Sequence, residues 1–262
     1  MAIKYGLGNL VTEDTLETPS SESILYTKER LYNQLQSSPF KGTSLTTLYI
    51  SVDLGADTLV NMVGVMNHNL VAPSTFKLKA NTQATGAFTN CAEAGDASWD
   101  LSKIADHPNS YKIFNSAGTL YRYLCLNITD VGNLDYMQIG EYILTTHGTF
   151  SRNFNWGYSR GEIVIKTDLM TTWGQRHRNK RSKKKFYNVE FNNMTEADLL
   201  AEVEAFFRTL DGDQPFLFVP EDTEDYSYYM YVLNDERAKR DFLDHNSFNL
   251  DLEEEVKGIT LL

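Results

Sequence analysis

Seven cations crowd ten consecutive positions of this sequence: Arg176, Arg178, Lys180, Arg181, Lys183, Lys184 and Lys185, with no acid among them. Cations at this density can grip the phosphates of a nucleic acid or pair with an acidic protein neighbour. The segment from Glu221 to the C-terminus offers such a neighbour, with twelve acids against four bases, a net of −8. Opposed charge segments of this kind set register and partner choice between subunits more than raw affinity. The acids themselves suggest no metal site. Glu221, Asp222, Glu224 and Asp225 follow Pro220 closely, but their spacing lacks the glycine and the periodicity of a calcium loop, so they read as a solvated acidic loop. Glu253, Glu254 and Glu255 read as a charged strand end that blocks edge-to-edge pairing.

Catalytic constellations are scarce. His68, His107, His147, His177 and His245 are scattered and none has metal-ligand spacing. There is no nucleophile elbow and no phosphate loop. We therefore expect no enzyme, no cofactor and no metal. Cys91 and Cys125 are too few for a disulfide framework or a thiolate zinc site. Cys125 sits in an apolar run and reads as a buried, reduced thiol, whereas Cys91 reads as a loop residue. Among the aromatics, Trp99 lies in a long loop-like region and is the best single candidate for a carbohydrate contact or an interface anchor. Tyr226, Tyr228, Tyr229 and Tyr231 could form a similar platform or simply cap a sandwich.

The elements that must hold these residues are mostly strands. The chain has 262 residues, 42% of them apolar, enough for one large domain or two modest ones. Its net charge of −11 repels nucleic acid and anionic membranes on average. No stretch approaches the roughly 20 apolar residues of a membrane span, and the N-terminus lacks a signal-peptide core, so synthesis in a cytoplasm is expected. Alternation predicts a strand over 49–54, a turn at Gly55–Thr58, a second strand from Leu59 to Met66, and further strands near 76–80, 121–128 and 137–144. Leu124, Leu126 and Ile128 share one face. The stretch 81–109 reads as long loops, and a boundary is expected at Gly148.

After that boundary, strands are expected at Glu162–Lys166 and Phe186–Phe191, with the basic run as a hairpin arm or extended loop between them. A helix over 195–210 is expected, capped by Thr195, carrying Glu196 and Asp198 in its first turn and ending at Gly212. Leu199, Leu200, Val203, Phe206, Phe207 and Leu210 form its apolar face. Strands follow at Phe216–Val219, Tyr228–Leu233 and Phe248–Leu252.

Two segments of the first half carry a resemblance. Ile50-Ser-Val-Asp-Leu-Gly55 with Val60-Asn-Met-Val-Gly-Val-Met-Asn-His-Asn-Leu70 resembles a strand pair of discoidin-like (galactose-binding-like) β-sandwich domains. With Tyr121-Arg-Tyr-Leu-Cys-Leu126 and Ile139-Gly-Glu-Tyr142, it looks like the versions found on structural proteins of tailed bacteriophages. Ser151-Arg-Asn-Phe-Asn-Trp-Gly157, the basic arm, the amphipathic helix and Pro215-Phe-Leu-Phe-Val-Pro220 are similar to tail and baseplate proteins of the tail-tube and distal-tail type. The resemblance implies a mainly β chain: residues 1–148 as a discoidin-like jelly-roll β-sandwich, and 149–262 as a tail-tube-like β-sandwich or barrel with one covering helix.

It also implies a non-enzymatic virion protein, assembling into a hexameric or trimeric ring with other phage tail proteins at the tail tip. DNA would pass only transiently through its lumen, no part would insert in a membrane, and the basic arm would face a neighbouring subunit or that DNA. The alternative is a tail adhesin whose first domain binds a host surface glycan or receptor.

Overall fold

A computed structural model describes residues 3–70, 73–88, 91, 94–101, 108–115, 117–130, 135–151, 158–170, 172–173, 176–210, 214–220, 226–233, 238–242 and 245–255. His107, the 152–157 motif, Gly212 and the 221–225 acidic cluster lie outside the described residues.

The chain is mainly β. Its first strands are β1 (Lys4–Leu7), β2 (Phe40–Gly42), β3 (Thr47–Leu59), β4 (Met62–Met66) and β5 (Pro73–Asn81). Then come β6 (Ala97–Asp100), β7 (Ser110–Ile113), β8 (Leu120–Asp130), β9 (Met137–Ile139) and β10 (Glu141–Thr149). The later strands are β11 (Ser159–Met170), β12 (Arg176–Met194), β13 (Phe216–Val219), β14 (Tyr228–Val232), β15 (Ala238–Phe242) and β16 (His245–Glu254). Two compact units result: Met1–Thr149 with Phe216–Tyr228, and Phe150–Pro215 with Tyr229–Leu262.

The first unit is a β-sandwich. One sheet runs β13-β1-β10-β4-β7, the other β3-β8-β5-β6, and β2 pairs with β9. Alternation explains its core. Leu48, Ile50 and Val52 of β3 and Leu124, Leu126 and Ile128 of β8 are fully buried at every second position. They meet Val63, Val65, Tyr142 and Leu144 of the other sheet in one cluster. The turn expected at Gly55–Thr58 is instead a break in register within β3, between Asp53 and Thr58, where β3 continues beside β8. Gly55 at φ +76° supplies the left-handed backbone that such a bulge requires. The expected strand pair also separates: β3 pairs with β8 and β4 with β10 and β7, so the chain crosses between sheets at Val60–Asn61. Phe216–Val219, read in sequence with the second half, belongs to the first unit, because β13 pairs antiparallel with β1.

Cys91 and Cys125 correct another expectation. They are bonded, with Cα atoms 5.8 Å apart, well inside the range a disulfide spans. Cys125 lies outside the main core cluster, between Leu124 and Leu126, which belong to it. Phe88, Cys91 and Cys125 form their own small buried cluster, with Tyr49 and Tyr123 packed beside it.

The second unit is a sheet of order β11-β12-β16-β14, with β15 also on β16. One helix covers a face of it. Thr195 caps the helix as expected, accepting from the Asp198 N–H at 3.1 Å while the Asp198 carboxylate accepts from the Thr195 N–H. The first turn, Glu196–Asp198, opens into a π-helical stretch, Leu199–Val203, and closes as α-helix over Glu204–Leu210. That wider turn rotates the apolar face. Val203, Phe206 and Leu210 are buried, but Leu200 is 51% exposed, against the sequence reading. Phe206 meets Phe150 at 5.6 Å, Phe150 meets Phe191 at 4.9 Å and Phe207 meets Phe248 at 5.7 Å, so this core is largely aromatic.

Candidate functional site: an aromatic and cationic loop cluster

Of the two readings of the basic run, the hairpin arm holds and the extended loop does not. All seven cations stand on β12, and the backbone register pairs this stretch with β11. Among the described side chains, Lys183, Lys184 and Lys185 are matched within the chain. Lys183 and Lys185 reach the two carboxylate oxygens of Glu162 at 2.7 and 2.6 Å, and Lys184 closes on Glu253. β16 is therefore no charged sheet edge. It lies between β12 and β14, Glu254 is buried, and its carboxylate accepts from the Lys185 N–H at 2.9 Å.

The two lysines hold the Glu162 carboxyl far below the ordinary glutamate value, at about 2. A lowered folded pKa stabilises fully above the ordinary value and is lost as pH falls from about 4.5 through about 2. We expect the Glu162 carboxyl carbon to titrate near 2 by NMR and to return toward the ordinary range in a Lys183→Ala/Lys185→Ala variant. An ordinary titration in the parent protein would disprove the pairing.

Trp99 is not a free platform. It lies on β6, half-buried, with its ring 4.4 Å from Phe114 and edge-on to Tyr121 at 5.7 Å. The surrounding Gly/Ala/Thr composition hid this short strand, which pairs with β5. Tyr228 and Tyr229 are buried as well. His68 bonds Ser110 Oγ through Nε2 at 2.8 Å and sits edge-on to Phe76, a packing role. His147 is held below the ordinary histidine value, first by burial and then by Lys4 nearby.

A different group converges at the surface of the first unit. Ser23 to Tyr26 form a tight turn, closed by the Tyr26 N–H bonding Ser23 O at 3.0 Å. Two backbone bonds pin this turn to β2: the Ser23 N–H to Lys41 O, and the Lys41 N–H to Tyr26 O. The turn carries Ile24 and Leu25, 93% and 74% exposed. Behind them the Lys41 ammonium lies between two rings, 4.3 Å from Tyr26 and 4.0 Å from Tyr136. The Arg30 guanidinium lies 4.8 Å from Tyr26 and bonds Ser38 Oγ at 3.0 Å.

Pairing of β2 with β9 sets Lys41 beside Gln138, which brings Tyr136 within reach. Asn69 fixes that approach, donating to Tyr136 O at 2.8 Å and accepting from the Gln138 N–H at 2.7 Å. Among the described residues, neither Arg30 nor Lys41 has a carboxylate at salt-bridge distance. Aromatic rings steady both cations. Chemically the cluster offers ring surface for apolar C–H faces and N–H donors for hydroxyl or carboxylate oxygens. No sequence signal marked it, because Tyr26, Lys41 and Tyr136 come from three distant segments.

No family model matches this chain, and no curated protein matches it. Solved structures do. A mutant of chitosan-binding module 1 from a Paenibacillus sp. IK-5 chitosanase/glucanase is 16% identical, over 53% of this chain and 99% of its own, at a TM-score of 0.41. A CBM32 module of Clostridium perfringens is 14% identical, over 53% of this chain and 99% of its own, at 0.37. The lectin domain of lectinolysin, complexed with Lewis B antigen, is 12% identical, over 52% of this chain and 95% of its own, at 0.39. These structural neighbours are carbohydrate-binding modules and lectin domains.

Proposed function

We propose that the chain is a non-catalytic binding protein whose first unit recognises carbohydrate, with acidic sugars favoured. The observation that carries this reading is the Tyr26–Lys41–Tyr136–Arg30 cluster, where cations with no carboxylate at salt-bridge distance among the described residues stand against aromatic rings at an exposed turn. A sugar ring places its C–H face on tyrosine while its oxygens take donors from Lys41 and Arg30. A uronate or sialate adds a carboxylate, which gives the guanidinium a bidentate partner. The Cys91–Cys125 bond supports a working life in an oxidising setting, such as a cell or virion surface, where glycans are met.

A ring-forming tail subunit is the second reading. The motif order favours it, but the charge docking expected of the basic arm now rests on fewer residues, since Lys183, Lys184 and Lys185 have partners within the chain.

A glycan array followed by calorimetry tests the first reading. We expect binding to an acidic oligosaccharide that falls at least about tenfold in Lys41→Ala and in Tyr136→Ala, the loss of one good contact. Trp99→Phe should bind like the parent, because Trp99 packs against Phe114 and Tyr121. An array without signal, or a Lys41→Ala protein that binds as well as the parent, would refute the proposal.

A further inference from the structure

The turn in front of the Lys41 cluster presents two kinds of group that the cluster itself leaves unused. Ser23 to Tyr26 is a four-residue turn, and its central residues, Ile24 and Leu25, are 93% and 74% exposed. Side chains this bare bury little apolar surface in the fold. Their backbone is open as well. The Ser23 and Tyr26 N–H groups are taken, by Lys41 O and Ser23 O. Among the described residues, the Ile24 and Leu25 N–H groups make no hydrogen bond. Glu22, the acid next to the turn, is engaged with the Lys28 N–H at 2.5 Å.

The turn is held close to the cations. Lys41 accepts from the Ser23 N–H and donates its own N–H to Tyr26 O, so the residue that carries the ammonium also clamps the turn. Ile24 and Leu25 stand two residues and one residue from Tyr26, at about 3.8 Å per step. A sugar ring with its substituents covers a comparable length. Three surfaces are therefore side by side: the cations Lys41 and Arg30, the rings of Tyr26 and Tyr136, and an apolar turn with free N–H donors.

A plain uronate uses only the first two, its carboxylate on the cations and its C–H face on tyrosine. An N-acyl group uses the third. Its methyl covers Ile24 or Leu25, and its carbonyl oxygen accepts from a turn N–H. The same free N–H groups count against a lipid surface, because a backbone N–H carried into hydrocarbon goes unmatched.

We propose that the Ser23–Tyr26 turn is a subsite for an N-acyl group, so that the ligand is an acidic glycan that also carries one, of the sialate class, in preference to a plain uronate. The proposal rests on the carbohydrate reading above and narrows it.

The test is calorimetry of the full chain with a matched pair of sugars: sialyllactose, and its counterpart with a hydroxyl in place of the N-acetyl group. Both keep the carboxylate. The parent should bind the N-acetyl form about tenfold more tightly, the joint effect of one covered methyl and one hydrogen bond. The Ile24→Ser/Leu25→Ser variant should bring that ratio below about threefold, since the methyl loses its apolar partner. Both positions are exposed, so folding is not at stake. Lys41→Ala should weaken both sugars and keep the ratio, because it removes the partner of the carboxylate they share. Equal parent affinity for the two sugars, or the full ratio in the serine variant, would overturn this proposal and leave the carbohydrate reading standing. Binding of tetragalacturonate but of neither sialyl sugar would do the same. No binding of any of the three would overturn both. Two results would reassign the turn, each in the absence of a preference between the paired sugars. Phosphatidylserine-containing vesicles that sediment the parent but not the serine variant would give it to a lipid surface. Self-association in sedimentation velocity that the serine variant abolishes would give it to a second copy.

Discussion

Phe206→Ala is expected to destabilise the second unit by about 3–5 kcal/mol, the usual loss when a buried phenylalanine is cut to alanine. Phe206 is 1% exposed and is the central anchor of the only helix described in this unit. Its ring meets Phe150, whose ring meets Phe191, which in turn stacks on Phe248 of β16 at 5.8 Å. Truncation would break this chain of rings where helix meets sheet. The neighbouring turns offer no replacement, since Leu200 faces solvent and the π-helical stretch fixes which residues point inward. Independent domains hold about 5–15 kcal/mol in all, so most of the unit's margin would go.

Urea denaturation followed by amide exchange in β12 and β16 would report it. Leu200→Ala, on the exposed side of the same helix, should cost less than about 1 kcal/mol. Equal effects of the two substitutions would show that the helix does not pack as described.

How much of this arrangement could be read in advance depended on the range of the interaction. The Leu124–Leu126–Ile128 face was legible, because alternation is a local signal and burial follows from it. So was the Thr195 cap, which needs only residues three apart. The π-helical stretch was not, since it shifts the inward face by a fraction of a turn without changing composition. Gly55 reads equally well as a turn or as a bulge, and only the position of β8 decides between them. The basic run left hairpin arm and extended loop both open, because lysine and arginine say little about strands. What favours β12 there is Glu162, which pairs with both Lys183 and Lys185 from across the ladder. β13 joins β1 across more than 200 residues, a register no sequence pattern encodes. The Lys41 cluster was invisible for the same reason: its rings come from either side of most of the first unit.

Removing the Cys91–Cys125 bond is expected to cost the first unit about 3–4 kcal/mol, from the chain entropy of a closed loop. The two residues are 34 apart in sequence. Local structure cannot replace that link. The stem of the 82–96 loop is held by small polar contacts, with the Asp96 carboxylate accepting from the Thr82 N–H and the Thr85 hydroxyl at 3.0 and 2.8 Å. Among the described residues farther out, Phe88 and Cys91 are buried, with Lys79 Nζ bonding Cys91 O at 2.6 Å. Cys125 is on β8, which pairs with both β3 and β5, so the bond ties Cys91 to the centre of that sheet.

With reductant, or in a Cys91→Ala/Cys125→Ala variant, the thermal midpoint of the first unit should fall by about 10 °C, scaled from that free energy for a unit of this size. The core cluster around Leu126 is untouched by the change, so the fold should persist below the midpoint. Thiol titration discriminates sharply: the unreduced, denatured protein should show no free thiol, and both should appear after reduction. Two titratable thiols without reductant, together with a midpoint indifferent to it, would mean that Cys91 and Cys125 merely lie side by side.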